Sequence, residues 1–463
     1  MRTTLLNAWN WAQAEFSGAD LGDLRRSKRL VKVASALAQN PQGALNRAIT
    51  DWGELIGAYR LLMAKGVSYE AILEPHKQRT RDACRAPGEY LLVEDTTSLD
   101  YSALEATTGL GRIGDDGGRG LHLHSTLALR VDGWTPECVP AVTAMGLFDQ
   151  VCWARTAPTV GFGKEKKARR LKRKRESQRW AAAFERNGGP PPKVRWTYIA
   201  DRESDIYEVF EKCRSHGVEW IVRANQRRAL VEEDGSVFDA VAATAPVGSF
   251  SLDLRARPGR ENRTARLVVR ATTVTLRGPW RPGGSPPPAT MNVIEVREEG
   301  APVGVEPIHW VLLTSWFIGS WEAVLRAIKA YTRRWVIEEY HKALKTGASV
   351  EESQLMEARG IRSLVGILAV VGLRLLNMKL LAQAEADAPL EPGDVGGEGI
   401  AILERKFGRP VGGWSQVSVL IAIARLGGFL ARKCDGLPGW LSIWRGWYRL
   451  NLMTEGFRLA RSP

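Results

Sequence analysis

The sequence predicts a mixed α/β chain, with a central sheet, a β-rich insertion and all-helical segments at both ends. Three observations carry this. Apolar runs of strand length meet carboxylates at residues 89–101 and 194–203. Helical periodicity fills residues 1 to about 75 and 413–463. Between them, residues 229–307 alternate like strands and are broken by Gly and Pro.

The N-terminal part reads as helices. Asp20-Leu-Gly-Asp-Leu-Arg-Arg-Ser-Lys-Arg-Leu leads into an amphipathic run that Asn40-Pro41 stops. Arg25, Arg26, Lys28 and Arg29 cluster in its first half, which suits docking on phosphates. A solvated helix face carries the same pattern. A second helix is expected around Asp51 to Ala64. Leu91, Leu92 and Val93 read as a buried strand that Glu94 and Asp95 close with a polar turn. Residues 121–131 and 137–146 read as the next two strands, with Gly133 and Pro136 marking the turn. Trp196 to Ala200 is a strand ending in the polar tip Asp201, Arg202 and Glu203, with Ser204 as N-cap of the next helix. Glu219 to Arg223 and His309 to Ser315 are further strands. An apolar helix is expected over 361–384. Trp440, Trp444 and Trp447 form a helical stripe, read as internal packing ahead of a dimer face.

Composition narrows the function. The chain has 463 residues, 44% hydrophobic and 25% charged, a globular balance. Its 65 Lys and Arg against 51 Asp and Glu leave a formal charge of +14, which favours a polyanionic partner such as nucleic acid. Lys164 to Arg175 holds nine cations and one acid, a run that could lie along phosphates or stay in solvent. Five scattered cysteines without CxxC spacing give neither a disulfide framework nor a zinc site, and a reducing cytosol is expected. No signal-peptide core opens the sequence. The longest apolar run, Leu364 to Leu373, is too short to span a bilayer, so no membrane partner is expected. Some of the seventeen tryptophans could stack on unpaired bases.

The most informative stretch is 331–345, YTRRWVIEEYHKALK. On a single helix, Tyr331, Arg334, Glu338, Lys342 and Lys345 share one side, while Val336, Ile337, Tyr340, Ala343 and Leu344 form an apolar floor. Glu339 points off the polar stripe. A carboxylate among cations can ligate a hard metal while its neighbours hold phosphates; i,i+4 ion pairing on a solvated helix is the plain alternative. Asp95 and Asp201 end buried strands, where carboxylates are also ordinary turn residues. With Glu338 they could hold two Mg²⁺ ions about 4 Å apart for in-line phosphoryl displacement.

Together these residues resemble a known family. The order of three strands, strand-helix, β insertion and helical Glu is similar to the ribonuclease-H-like core of DDE transposases. Tyr331, Arg334, Glu338 and Lys345 match the YREK signature of the insertion-sequence transposases that include transposon Tn-five. Glu94-Asp95-Thr-Thr-Ser, Asp201-Arg-Glu-Ser-Asp, Trp310-Val-Leu-Leu-Thr-Ser, Ala424-Arg-Leu-Gly-Gly-Phe and Gly22-Asp-Leu-Arg-Arg-Ser-Lys-Arg-Leu fit as well.

The resemblance implies three domains: DNA-end binding over 1–75, a ribonuclease-H-like catalytic domain over 76–375, and a helical dimerisation domain over 376–463. It implies an enzyme that binds transposon ends, cleaves them through a hairpin and joins the 3′-OH to target DNA. Asp95, Asp201 and Glu338 would bind two Mg²⁺, with Mn²⁺ as substitute. Tyr331, Arg334 and Lys345 would grip phosphates, assisted by Lys342 and Arg223. Trp310 would receive a flipped base, with Trp335 as a second stacking surface, and Arg25, Arg26, Lys28 and Arg29 would contact the end. A homodimer would pair two double-stranded DNA ends. An end-binding inhibitor and a nuclease without strand transfer remain the alternatives. The basic run at 164–175 departs from the family.

Overall fold

The computed structural model describes residues 8–40, 44–114, 117–155, 179–231, 234–254, 261–281, 284–384, 397–432, 435–436 and 438–461. The basic run Lys164–Arg175 lies outside these residues.

Five helices open the chain: α1 (Ala8–Phe16), α2 (Leu24–Gln39), α3 (Leu45–Ala48), α4 (Trp52–Leu62) and α5 (Tyr69–Ala83). Asp23 caps α2, its carboxylate accepting the Arg25 N–H. Asp51 caps α4. Helix α5 spans residue 75 and leads to the first strand.

Ten strands form one sheet among the described residues: β1 (Gly88–Asp100), β2 (Gly111–Ile113), β3 (Gly118–Trp134), β4 (Pro140–Trp153), β5 (Val194–Ala200), β6 (Glu219–Arg223), β7 (Pro246–Leu254), β8 (Arg263–Leu276), β9 (Ala289–Glu299) and β10 (His309–Thr314). Their order is β2-β3-β1-β5-β6-β10-β9-β8-β7, with β4 also on β3. β1 is antiparallel to β3 and parallel to β5, and β5 is parallel to β6.

One expectation is corrected here. β1 does not close at Glu94 and Asp95. It continues to Asp100 because Thr96 to Asp100 pair with His124 to Gly120 of β3. The β-rich insertion joins the same sheet. β7, β8 and β9 extend the central sheet through β10, so their backbone hydrogen bonds are satisfied by the sheet itself.

The sheet separates two cores. Leu91, Val93, Leu99 and Ile199 face one, with the N-terminal helices; Tyr90, Leu92, Tyr198 and Ala200 face the other. This is the period-2 alternation of a strand buried on both sides. On the second face pack α6 (Arg179–Asn187), α7 (Tyr207–Ser215) and α8 (Val237–Ala242). Ser204 does not cap α7. It sits in a preceding 3-10 turn, and its hydroxyl accepts from Tyr198 at 3.1 Å.

After β10 come α9 (Trp321–Thr332), α10 (Trp335–Lys342), a π-helical turn (Ala343–Gly347) and α11 (Ala358–Ala384). By length and composition Ala358–Leu380 could cross a bilayer, but 83% of its apolar window is buried inside the protein. It is the spine of the first core. Buried Arg374 on this helix donates to Ala38 O at 2.9 Å, tying it to α2. Helices α12 (Gly397–Phe407), α13 (Gln416–Leu426) and α14 (Trp440–Leu459) close the chain. Trp440, Trp444 and Trp447 are buried, in keeping with the internal-packing reading.

Candidate active site

Strand alternation brings the two aspartates together. The last paired rung of β1 and β5 is Glu94 with Ala200. Asp95 and Asp201 stand one residue beyond it on neighbouring parallel strands, which run about 4.8 Å apart. Asp95 shares the face of Leu91 and Val93, and Asp201 that of Ile199. Both therefore emerge on the side where α10 packs. Asp95 accepts the N–H of Thr96 at 2.8 Å. Asp201 caps the 3-10 turn after β5, accepting from Glu203 N at 2.8 Å.

Glu338 reaches the same place from α10. Arg334 links the carboxylates: its guanidinium donates to Glu338 Oε1 at 2.6 Å and lies 3.8 Å from Asp95 Oδ2. Among the described residues, no three His, Cys, Asp or Glu side chains stand close enough together to hold a metal ion as they are; Asp95 and Glu338 face the guanidinium instead. Burial dominates at Asp95, with neighbouring acids adding to it. Its acid is pushed up to about 6, first by burial and then by Asp201, with Glu338 adding to the effect; the Thr96 N–H and Arg334 pull it back. Glu203 is also held above the usual carboxylate range, by desolvation and by Asp201.

The single helix expected over 331–345 is three pieces. Tyr331 belongs to α9, the chain turns through Arg333 and Arg334, and Lys345 lies in the π turn. The floor is as expected: Val336, Ile337, Tyr340, Ala343 and Leu344 are buried. The polar side is less uniform. Tyr331 is buried, and burial holds its hydroxyl above the usual range against the pull of Arg334 and Arg223. Lys345 Nζ lies 3.4 Å from Glu351, and exposed Lys342 lies 3.3 Å from Glu339.

Half-buried Trp310 lies on β10 with its ring 6.3 Å from that of Tyr331. Trp335 is 51% exposed, with the Arg334 guanidinium 4.8 Å from its ring centre. Arg223, at the end of β6, donates to His309 O at 3.0 Å. The N-terminal cations are distant in sequence and unevenly engaged. Arg26 donates to Leu21 O, Arg29 pairs with Glu54 at 3.2 Å, and Arg25 bonds its own cap Asp23; the Arg25 and Lys28 side chains are exposed.

Sequence reasoning missed three supports. Buried His124 contacts Glu94 Oε1 at 2.8 Å and Thr96 Oγ1 at 2.7 Å, clamping the residues on either side of Asp95 from the opposite face. Buried Asp205 accepts from the N–H groups of Asn225 and Gln226 and from Arg228, fixing the loop after Arg223. Glu339 ties α10 to α11 and α14. The spacing of Asp205 from Asp201 was a legible signal; the other two depend on distant partners.

Three family models match in tandem. Residues 8–67 match "Transposase DNA-binding", 189–371 "Transposase DDE domain" and 377–463 "Transposase Tn5 dimerisation domain". The chain belongs to the Tn5-like DDE transposases. A solved structure, the piggyBac transposase synaptic complex with hairpin DNA, is 11% identical over 95% of this chain and 82% of that one, at a TM-score of 0.30. That likeness is too slight to bear on the fold. As a DDE transposase the chain binds DNA, forms dimers and cleaves DNA, and the family depends generally on divalent metal. Asp201 and Glu338 lie within the DDE match; Asp95 lies before it.

Proposed function

We propose that this transposase cuts its own ends through a hairpin and joins the freed 3′-OH to target DNA at a site of Asp95, Asp201 and Glu338. The observation that carries the reading is the pair of aspartates one residue beyond the last rung of adjacent parallel strands, with Arg334 connecting Asp95 to Glu338. The strand order β4-β3-β1-β5-β6, antiparallel and then parallel, supports a ribonuclease-H-like core. Domain limits near residues 75 and 375 remain part of this proposal.

The donor set suits a hard divalent cation, since all three groups offer carboxylate oxygens and the charge of Asp95 is disfavoured by burial and by the neighbouring acids, which a cation would relieve. Two Mg²⁺ ions bound there would activate the attacking oxygen and stabilise the leaving one. The protein's own groups orient the DNA. Arg334 and Tyr331 face the phosphates from beside the carboxylates, and Lys345, Lys342 and Arg223 extend the cationic rim. Trp310 offers a ring for a base displaced when one strand bends sharply, and Trp335 a second, exposed one; base–aromatic stacking is worth about 1–3 kcal/mol. Arg25, Arg26, Lys28 and Arg29 engage the end, and two chains pair two ends.

Incubating the purified chain with labelled end DNA and Mg²⁺ tests this. Nicks, then hairpins, then joined products are expected. Nicks without hairpins would reduce the activity to a nuclease, and binding alone to an end-binding inhibitor. Asp95→Ala, Asp201→Ala and Glu338→Ala should each abolish cleavage and retain binding; a variant that still cleaves removes its residue from the site.

A further inference from the structure

We infer that Glu339 is a positioning residue through which the dimerisation segment holds the Glu338 helix in place. The inference rests on the reading of Glu338 as a cation ligand. Helix α10 has only eight residues and is interrupted at both ends. At its start, Arg334 N bonds Tyr331 O, Val336 N bonds Arg333 O and Ile337 N bonds Arg334 O, a tightened turn in place of regular α-helix. At its end comes the π turn Ala343–Gly347. The turn at Arg333 and Arg334 separates α10 from α9, while the π turn follows it directly with a changed hydrogen-bond pattern, so side-chain ties help to set how α10 is rotated.

Its apolar floor holds it against the sheet and α11. Tyr340 adds polar contacts to Gln150 and Ala369, and Glu339 supplies the tie to the C-terminal segment. Glu339 Oε2 accepts from Lys379 Nζ at 2.6 Å and from Trp440 Nε1 at 3.2 Å, and Lys342 Nζ stands 3.3 Å from Oε1. The Lys379 ammonium also lies over the Trp440 ring, 4.7 Å from its centre. Lys379 on α11 and Trp440 at the start of α14 both belong to the dimerisation match at 377–463. Their side chains are largely covered, so the contact is screened less than a surface pair.

Glu338 and Glu339 are consecutive, about 100° apart on the helix. A rotation that moves one carries the other. At a side-chain radius of about 6 Å, a turn of roughly 10° displaces the Glu338 carboxylate by about 1 Å, and misplacement on that scale can cost on the order of 100-fold in rate. The tie therefore lets the segment that pairs two chains set the orientation of a ligand in the cutting site.

The test uses the full-length chain, labelled end DNA and Mg²⁺. Glu339→Gln and Lys379→Met should bind and pair ends as the parent does, yet nick about 10-fold more slowly and need more Mg²⁺ for half-maximal cleavage. The charge swap E339K/K379E should recover part of that loss, which a role in packing alone would not produce. Trp440→Phe keeps an aromatic ring beside Lys379 but removes the N–H together with part of the indole, and should slow nicking a few-fold even if the charge variants fold poorly. Parent rates and Mg²⁺ requirement in Lys379→Met and Trp440→Phe would overturn the inference, as would losses that only track lost end pairing. Glu338→Gln separates the two claims: if it cleaves normally, the reading of Glu338 fails; if it is inactive while the tie variants are normal, only the tie fails.

Discussion

Arg334 donates to Glu338 Oε1 at 2.6 Å from a position where its own side chain is nearly buried. The same guanidinium lowers the pKa of Asp95, against burial and two neighbouring acids. Arg334→Gln removes that counter-charge. Asp95 should then titrate at higher pH, and the acid limb of the cleavage rate profile should move upward. Cleavage at pH 7.5 should fall about 10- to 100-fold as the contact is lost. Single-turnover nicking across pH 5.5–9 reads both effects.

Asp95 itself predicts a pH dependence of stability. Its acid stands near 6 in the fold against an ordinary value of 3.8. The folded state thus binds the proton more tightly than the unfolded chain. The destabilisation from its charge is fully present above about pH 6 and is relieved as pH falls towards 4. Asp95→Asn should therefore raise the thermal midpoint at pH 8, by an amount corresponding to roughly 1–3 kcal/mol, and the gain should vanish near pH 4. Thermal melts without divalent metal at the two pH values check this. The same variant should not cleave DNA.

Trp310→Ala should slow hairpin formation more than the first nick. Only the hairpin step bends one strand enough to unstack a base, and the lost stacking of about 1–3 kcal/mol corresponds to roughly 5- to 150-fold in rate. Time courses resolving nicked from hairpin products decide it; equal slowing of both steps would count against a base-receiving role.

Helices α13 and α14 meet backbone to backbone. A Cβ added at Gly446 would stand 1.7 Å from Ile423 O, and one at Gly427 1.9 Å from Ser442 O. Gly446→Ala must push the two helices apart, costing about 1–3 kcal/mol. The expected result is a lower thermal midpoint and weaker self-association by sedimentation, with DNA end binding by a single chain retained.

Much of the proposed site was legible because its signals are local. Strand-length apolar runs marked where Asp95 and Asp201 emerge, and the 3.6-residue period marked Val336, Ile337 and Tyr340 as the floor beneath Glu338. The errors fell where distant segments compete with local pattern. Thr96 to Ser98 look like a polar turn alone, yet β3 supplies the hydrogen-bond partners that keep them in a strand. YTRRW has no helix breaker, yet the chain turns at Arg333, whose guanidinium reaches the carbonyl of Pro140.

By itself the sequence determined the residue types of the site, their order, the alternation that aims both aspartates to one side, and a charge suited to DNA. Only the tertiary structure decided which charges meet. Arg26 and Arg29 are drawn into contacts within the helical unit, Lys345 into one with Glu351, and Glu339 towards Lys379 and Trp440, while Arg334 is left beside Asp95 and Glu338. The physical reason is that an ion pair or strand rung depends on distances between segments far apart in the chain, which periodicity does not encode.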